Sequence, residues 1–237
     1  MIPLRDENPT STTPLVVYGL IAANVLIYLY NGPLRPGIHN PLAGFELVPY
    51  ELTTGRDVGP VTPITPWLTI FTSAFMHANW LHIAGNMLYL WIFGNNVEDT
   101  FGHFRFLLFY LLSGVGAALL QVLVAPFSTI PMVGASGAIA GVLGAYLILF
   151  PHARIITLTF FFFVQLVEYP ASIVLGLWIL IQIISLSGMD AAAGGVAYAA
   201  HVGGFITGVF ITYLLGGRKL LRRRRAVGYW YYRRPYW

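Results

Sequence analysis

A serine set among small residues, Gly134-Ala135-Ser136-Gly137, stands at the head of a long apolar run. Two other polar sets interrupt apolar surroundings: His82 with Asn86, in His82-Ile83-Ala84-Gly85-Asn86, and His201, in His201-Val202-Gly203-Gly204. A serine hydroxyl becomes a nucleophile when a base takes its proton, and a neutral histidine is the usual base. The oxyanion that such an attack develops needs fixed donors, and Asn86, His82 and the backbone N–H of Ser136 are the candidates. These residues supply the parts of an acyl-transfer site. Each also has a plainer reading by itself. A serine beside glycines commonly bonds back to its own helix. A lone His or Asn in an apolar span often bonds a carbonyl or holds two helices together, and His77 is read in that way. His103 and His152 fall in turns and read as surface residues.

Composition says what must carry these groups. Of 237 residues, 57% are hydrophobic and 9% charged, against about a quarter charged in soluble domains. The mean hydropathy is +0.71. Residues 106–153 contain no Lys, Arg, Asp or Glu. One membrane span takes about 20 apolar residues, so this run holds two, hinged between Pro126 and Pro131. The chain has no cysteine, which excludes a disulfide, a thiolate nucleophile and a cysteine metal site.

Read in order, residues 1–13 form a short polar cytoplasmic N-terminus. A six-span membrane domain covers 14–216, and 217–237 form a basic and aromatic cytoplasmic tail. The expected class is all-α: a polytopic membrane protein with a long first external loop. The first span is 15–30, and the acids Asp6 and Glu7 ahead of it argue for a retained span rather than a cleaved signal. Residues 31–66 form the loop, and 67–80 re-enter the interface. Span two is 81–95, span three 106–124 and span four 133–150. Residues 155–186 exceed one span and are interrupted by Glu168 and Pro170, which predicts an interfacial Phe-rich piece at 160–163 and span five over 171–186. A small-residue loop at 189–195 precedes span six, 196–215. The Arg cluster 222–225, with Arg105 and Arg154 in turns, puts both termini in the cytoplasm and leaves Arg35 and Arg56 outside. The cluster is a topology anchor that also attracts anionic membrane lipid; nucleic acid is not expected as a partner. A prokaryotic inner membrane is the expected location.

In this topology spans two, four and six all start from outside. His82 and Asn86, four residues apart, share one helix face near the start of span two. Ser136 lies about one turn into span four, and His201 between one and two turns into span six, at 1.5 Å per residue. All four therefore lie at similar depth. Gly137 and Gly141 on span four, and Gly204 and Gly208 on span six, make faces that can pack closely, bringing His201 within hydrogen-bond reach of Ser136. Neither span holds an Asp or Glu to orient the imidazole, so the arrangement is a Ser-His dyad.

Three motifs in this order, His82-x-x-x-Asn86, Gly134-x-Ser136-Gly137 and His201-x-x-Gly204-x-x-x-Gly208, resemble the rhomboid family of intramembrane serine proteases. Phe75-Met76-His77 and Gly94-Asn95-Asn96-Val97-Glu98-Asp99 look like the same family. The resemblance covers residues 67–215. It implies that Ser136 is the nucleophile, His201 the general base, and His82 with Asn86 the oxyanion-site donors. It also implies cleavage of transmembrane protein substrates near the outer membrane face, with no metal or cofactor. Two positions depart from the family. Some members carry a Trp-Arg pair in the first loop, where this chain has Trp67-Leu68. Many place an aromatic residue one turn after the serine to stack on the histidine, where this chain has Ala140, so the imidazole must be held by another group.

Two alternatives belong to other classes. A non-catalytic rhomboid-like module that binds transmembrane helices would be signalled by loss of Ser136 or His201, and both are present. A transporter or metal site would use His77, His82 and His201. No acidic residue accompanies them in the spans, and the chain has no H-E-x-x-H pattern.

Overall fold

The computed structural model describes residues 1–31, 41–160, 163–188, 196–217 and 219–221. The elements in chain order are β1 (Ile2–Asp6), α1 (Leu15–Asn31), α2 (Pro49–Thr54), α3 (Thr69–Thr72), α4 (Trp80–Phe101), α5 (His103–Val124), α6 (Ser136–Leu149), β2 (Arg154–Phe160), β3 (Val164–Pro170), α7 (Ala171–Ser187) and α8 (Tyr198–Leu214). The six apolar stretches of the sequence are thus helices α1 and α4 to α8. By length and composition α5 is able to cross a membrane alone, and α1, α6, α7 and α8 are shorter apolar helices of 14 to 17 residues.

The bundle is arranged around α6. Every residue from Gly137 to Tyr146 is buried, as expected of a helix apolar on all sides. It packs against α4, α5, α7 and α8, and Leu143 and Tyr146 are fully enclosed with Leu90 and Phe93 of α4. The outer helices instead expose large apolar side chains, among them Leu26, Leu123, Ile184 and Phe210. That reversal suits a bundle whose solvent is hydrocarbon, since lipid tails are as apolar as these side chains. At 1.5 Å per residue, the 14 residues of α6 span about 21 Å, short of a hydrocarbon core of about 30 Å.

Glycines set the closest contact. A Cβ on Gly204 would strike the carbonyl oxygen of Gly137, and one on Gly208 would strike the backbone of Gly141. The α6 and α8 backbones therefore touch, with no side chain between them. Ser113 of α5 fills the remaining space at Gly141.

The structure corrects the all-α expectation. β1, β2 and β3 form an antiparallel sheet in the order β1-β2-β3, with Ile2 opposite Leu158, Asp6 opposite Ile155, and Arg154 opposite Pro170. The stretch Ile155-Ile156-Thr157-Leu158-Thr159 is rich in β-branched residues, which fit a pleated surface. Ile155, Thr157 and Thr159 are buried in alternation, the period of a strand. The Phe-rich stretch 160–163 links the paired strands β2 and β3; Phe160 and Phe163 are exposed, and Phe161 and Phe162 lie outside the described residues.

The short polar N-terminal segment is built into the fold. Asp6 accepts hydrogen bonds from Tyr146 Oη (2.7 Å) and Asn96 Nδ2 (2.8 Å), while Ser11 and Thr12 donate to Asp99 at 2.8 and 2.6 Å. Burial pushes the Asp6 carboxyl above its ordinary value, against the lowering effect of the Tyr146 hydrogen bond. Glu98, fully buried, accepts from the N–H groups of Val16 and Val17 at 2.9 and 2.8 Å. Those donors open α1, where a helix leaves N–H groups without internal partners and favours negative charge. α4 continues past the expected span end at Asn95 to Phe101, which carries Glu98 to these donors. His103, expected to be an ordinary surface residue, pairs through Nδ1 with Glu98. The loop at 189–195, Arg35, and the basic and aromatic tail from Arg222 lie outside the described residues.

Candidate active site

Ser136 is the first residue of α6, and the turn before it dictates its surroundings. Gly134 adopts φ +121°, a conformation open to glycine and strained for other residues. A Cβ there would also lie 2.7 Å from Nε2 of His82 and 3.6 Å from Nδ2 of Asn86. Gly134 N–H donates to the carbonyl of Ser73 at 2.9 Å, which fixes the turn against the segment ahead of α4. Glycine at 134 is therefore the means by which the His82 and Asn86 side chains come close to the chain two residues before the serine.

Asn79 caps α4 by accepting from the His82 N–H at 2.9 Å, which places His82 in the first turn. Its Nδ1 faces the Ala78 N–H at 3.5 Å, and an acceptor at Nδ1 leaves the ring proton on Nε2. Asn86 is buried, and its Nδ2 has no hydrogen-bond partner among the described residues. The Ser136 N–H is itself in the first turn of a helix, where backbone donors lack intrahelical acceptors. His77 packs edge-on against His82 with ring centroids 5.1 Å apart. Among the described residues no three His, Asp or Glu side chains converge as a metal-binding group.

From α8, His201 presents Nε2 to Ser136 Oγ at 2.9 Å. The contact of the Gly137–Gly204 and Gly141–Gly208 backbones is what allows so short an approach between two helices. Gln121 of α5 accepts from the Ala200 N–H at 3.2 Å and so steadies the first turn of α8. A cavity of about 750 Å³ opens over these groups, lined by Ser136, His201, His82, Asn86, Gln121 and Trp178 among others.

Sequence reasoning missed two residues here, both on α7. Gln182 Oε1 lies 2.7 Å from His201 Nδ1. The Trp178 ring packs against the imidazole at a tilt, with centroids 5.7 Å apart and planes 36° from one another. The signal for Gln182 was available, because it is a polar residue inside the apolar run of α7. Ala140, by contrast, lies buried in α6, and the imidazole is held from α7 instead.

Chemically, the arrangement joins a hydroxyl to an imidazole on one side and sets Asn86 Nδ2, without a partner among the described residues, on the other. The Rhomboid domain family model matches residues 65–218 of this chain. The chain belongs to the rhomboid family. It is 32% identical over 175 residues, 71% of its length, to Rhomboid protein 1, mitochondrial, of Saccharomyces cerevisiae, covering 48% of that protein. It is 32% identical over 177 residues, 70% of its length, to Rhomboid protease GluP of Bacillus subtilis, covering 32% of it. Over 229 residues, 85% of its length, it is 30% identical to Rhomboid protease AarA of Providencia stuartii, covering 73% of it. The chain thus spans about half or less of the yeast and B. subtilis relatives. Family membership makes this helical bundle an integral membrane protein. The relatives include mitochondrial and chloroplastic proteins as well as bacterial ones.

Proposed function

We propose that this rhomboid is a serine endopeptidase that cleaves transmembrane protein substrates near the outer membrane face. The observation that carries the reading is the 2.9 Å contact between His201 Nε2 and Ser136 Oγ at the floor of an open cavity. His201 takes the Ser136 proton as Oγ attacks the scissile carbonyl carbon. The resulting oxyanion accepts from Asn86 Nδ2, His82 Nε2 and the Ser136 N–H, donors fixed before the reaction begins. His201 returns its proton to the departing amine, leaving an acyl ester on Ser136. Water, deprotonated by His201, then hydrolyses that ester and restores the serine. The dyad draws on no metal or cofactor.

All six long helices cross the membrane in this reading. The N-terminal ends of α4, α6 and α8 meet at the site. The opposite end of the bundle carries Asp6, Glu98, Asp99 and the sheet, together with Arg105 in the first turn of α5 and Arg154 at the start of β2, two residues that the sequence places in connecting turns. Basic residues at the ends of spans mark the cytoplasmic side, which supports cytoplasmic termini and a site in the outer leaflet. The inner membrane of a prokaryote is the proposed location, in keeping with the B. subtilis and P. stuartii relatives. Because α6 is short, its serine end lies beneath the membrane surface, and the cavity gives water a path to it. A substrate helix must unwind before cleavage, since its carbonyls are already bonded.

The test is cleavage in liposomes of a single-span protein carrying Gly or Pro near its outer end, with products read by mass spectrometry. Wild type is expected to cut within the outer part of the span and to be indifferent to EDTA, and Ser136→Ala to leave the substrate intact. Binding of the substrate helix without cleavage would favour a non-catalytic module. Inhibition by EDTA that added metal reverses would restore the metal reading.

A further inference from the structure

His201 needs more than proximity to Ser136 in order to act as a base. A neutral imidazole carries one proton on either nitrogen, and only the form bearing it on Nδ1 offers Nε2 a lone pair for the serine hydroxyl. In many such sites a carboxylate at Nδ1 enforces that form. Here the two groups that hydrogen-bond the imidazole are Ser136 Oγ at Nε2 and Gln182 at Nδ1. The amide of Gln182 is oriented by its own helix: Nε2 donates to the Trp178 carbonyl at 3.4 Å, which turns Oε1 toward His201 at 2.7 Å. A carbonyl oxygen accepts and cannot donate. Gln182 is buried, so water does not readily replace it.

We propose that Gln182 is a positioning residue that holds His201 in the Nδ1–H form with Nε2 directed at Ser136, the role a buried carboxylate would otherwise fill. A neutral amide does this without placing a charge in an apolar span, where an unpaired carboxylate is costly. Trp178, one turn earlier on α7, packs against the imidazole ring, so one helix contacts both the Nδ1 edge and the ring of the base. α7 buries only Ala171, Val174, Leu175 and Gln182 along its length, and Gln182 is thus its buried polar link to the site. The inference rests on the protease reading for its kinetic consequences and on geometry alone for the tautomer.

The tautomer is therefore measured first, by nitrogen NMR of the full-length protein labelled with ¹⁵N-histidine, with His201→Asn assigning the signal. The expected result is an Nδ1–H imidazole at neutral pH; an Nε2–H imidazole would overturn the proposal whether or not the protein cleaves anything. Two variants give the kinetic arm. Gln182→Leu is expected to lower kcat about 10–100-fold, less than the loss when a wrong tautomer is enforced, with KM within about twofold of wild type. Gln182→Glu is expected to recover most of that loss and to move the acid limb of the kcat profile to higher pH, because a carboxylate favours the imidazolium. Merely filling space would not move that limb. Wild-type kcat in Gln182→Leu, or a Gln182→Glu profile that superimposes on wild type, would overturn the role, and the second outcome decides the matter if Gln182→Leu does not fold. A wild-type protein with no Ser136-dependent reactivity would defeat the protease reading while leaving the tautomer result standing.

Discussion

Asn86 Nδ2 is a buried donor without a partner among the described residues, and leaving such a group unsatisfied costs about 1–3 kcal/mol. A residue kept at that cost fits a donor reserved for charge that appears only during reaction. Asn86→Ala is accordingly expected to lower kcat by about 10²–10³-fold, the scale of one lost oxyanion donor, while the thermal midpoint stays level or rises. Unchanged kcat with a lowered midpoint would make Asn86 a helix-packing residue. Ser136, His82, Asn86 and His201 were legible because each is a polar residue in an apolar run. Gln182 obeyed the same rule and was passed over, since an amide neither titrates nor attacks and its meaning comes from the group it faces. Gly134 carried a different kind of signal: its φ of +121° and the nearness of His82 are properties of a turn that spacing does not reveal.

At the scale of elements, the pairing of α6 with α8 is set by glycines whose added Cβ would meet backbone rather than a movable side chain. Gly208→Val should therefore cost more than the 1–3 kcal/mol usual for overpacking, seen as a large fall in thermal midpoint in detergent. Gly176, on α7, has nothing within 4 Å of such a Cβ. Gly176→Ala should leave the midpoint unchanged or raise it, since alanine is favoured over glycine in a helix by up to about 1 kcal/mol. Equal effects of the two would mean that the α6–α8 contact is looser than described. The helices were readable from apolar length, and the close α6–α8 approach from small residues four apart. The sheet was not. β1 is five residues long, and its partner lies some 150 residues later in the chain. Its register depends on where α6 ends, which periodicity within β1 does not record.

Across the whole molecule, the groups of the proposed active site gather at one end of the bundle and the charged clasp at the other. Tyr146 links the two, standing ten residues after Ser136 on α6 and donating to Asp6. Asp6 is held above its ordinary carboxyl value by burial. A carboxyl raised in the folded state adds stability below its unfolded value, near 3.8, and loses it as pH rises through the higher folded value. The N-terminal clasp is thus expected to protect best in acid. Limited proteolysis or hydrogen exchange over residues 1–14 should show protection falling as pH climbs above 3.8, and the fall should vanish in Asp6→Asn. Protection that rises over that range would contradict the burial argument. This clasp was hidden in the sequence because Asp6 and Glu7 signalled only a retained first span, and only the fold brings Asn96 and Tyr146 against Asp6.

The measurement that bears most directly on the dyad is labelling of the detergent-solubilised full-length protein with a fluorophosphonate, wild type beside Ser136→Ala and His201→Ala. Labelling of the wild type and its loss in both variants, with folding confirmed for all three, is the expected result. Labelling that persists in Ser136→Ala, or none in a folded wild type, would contradict an activated serine at that position.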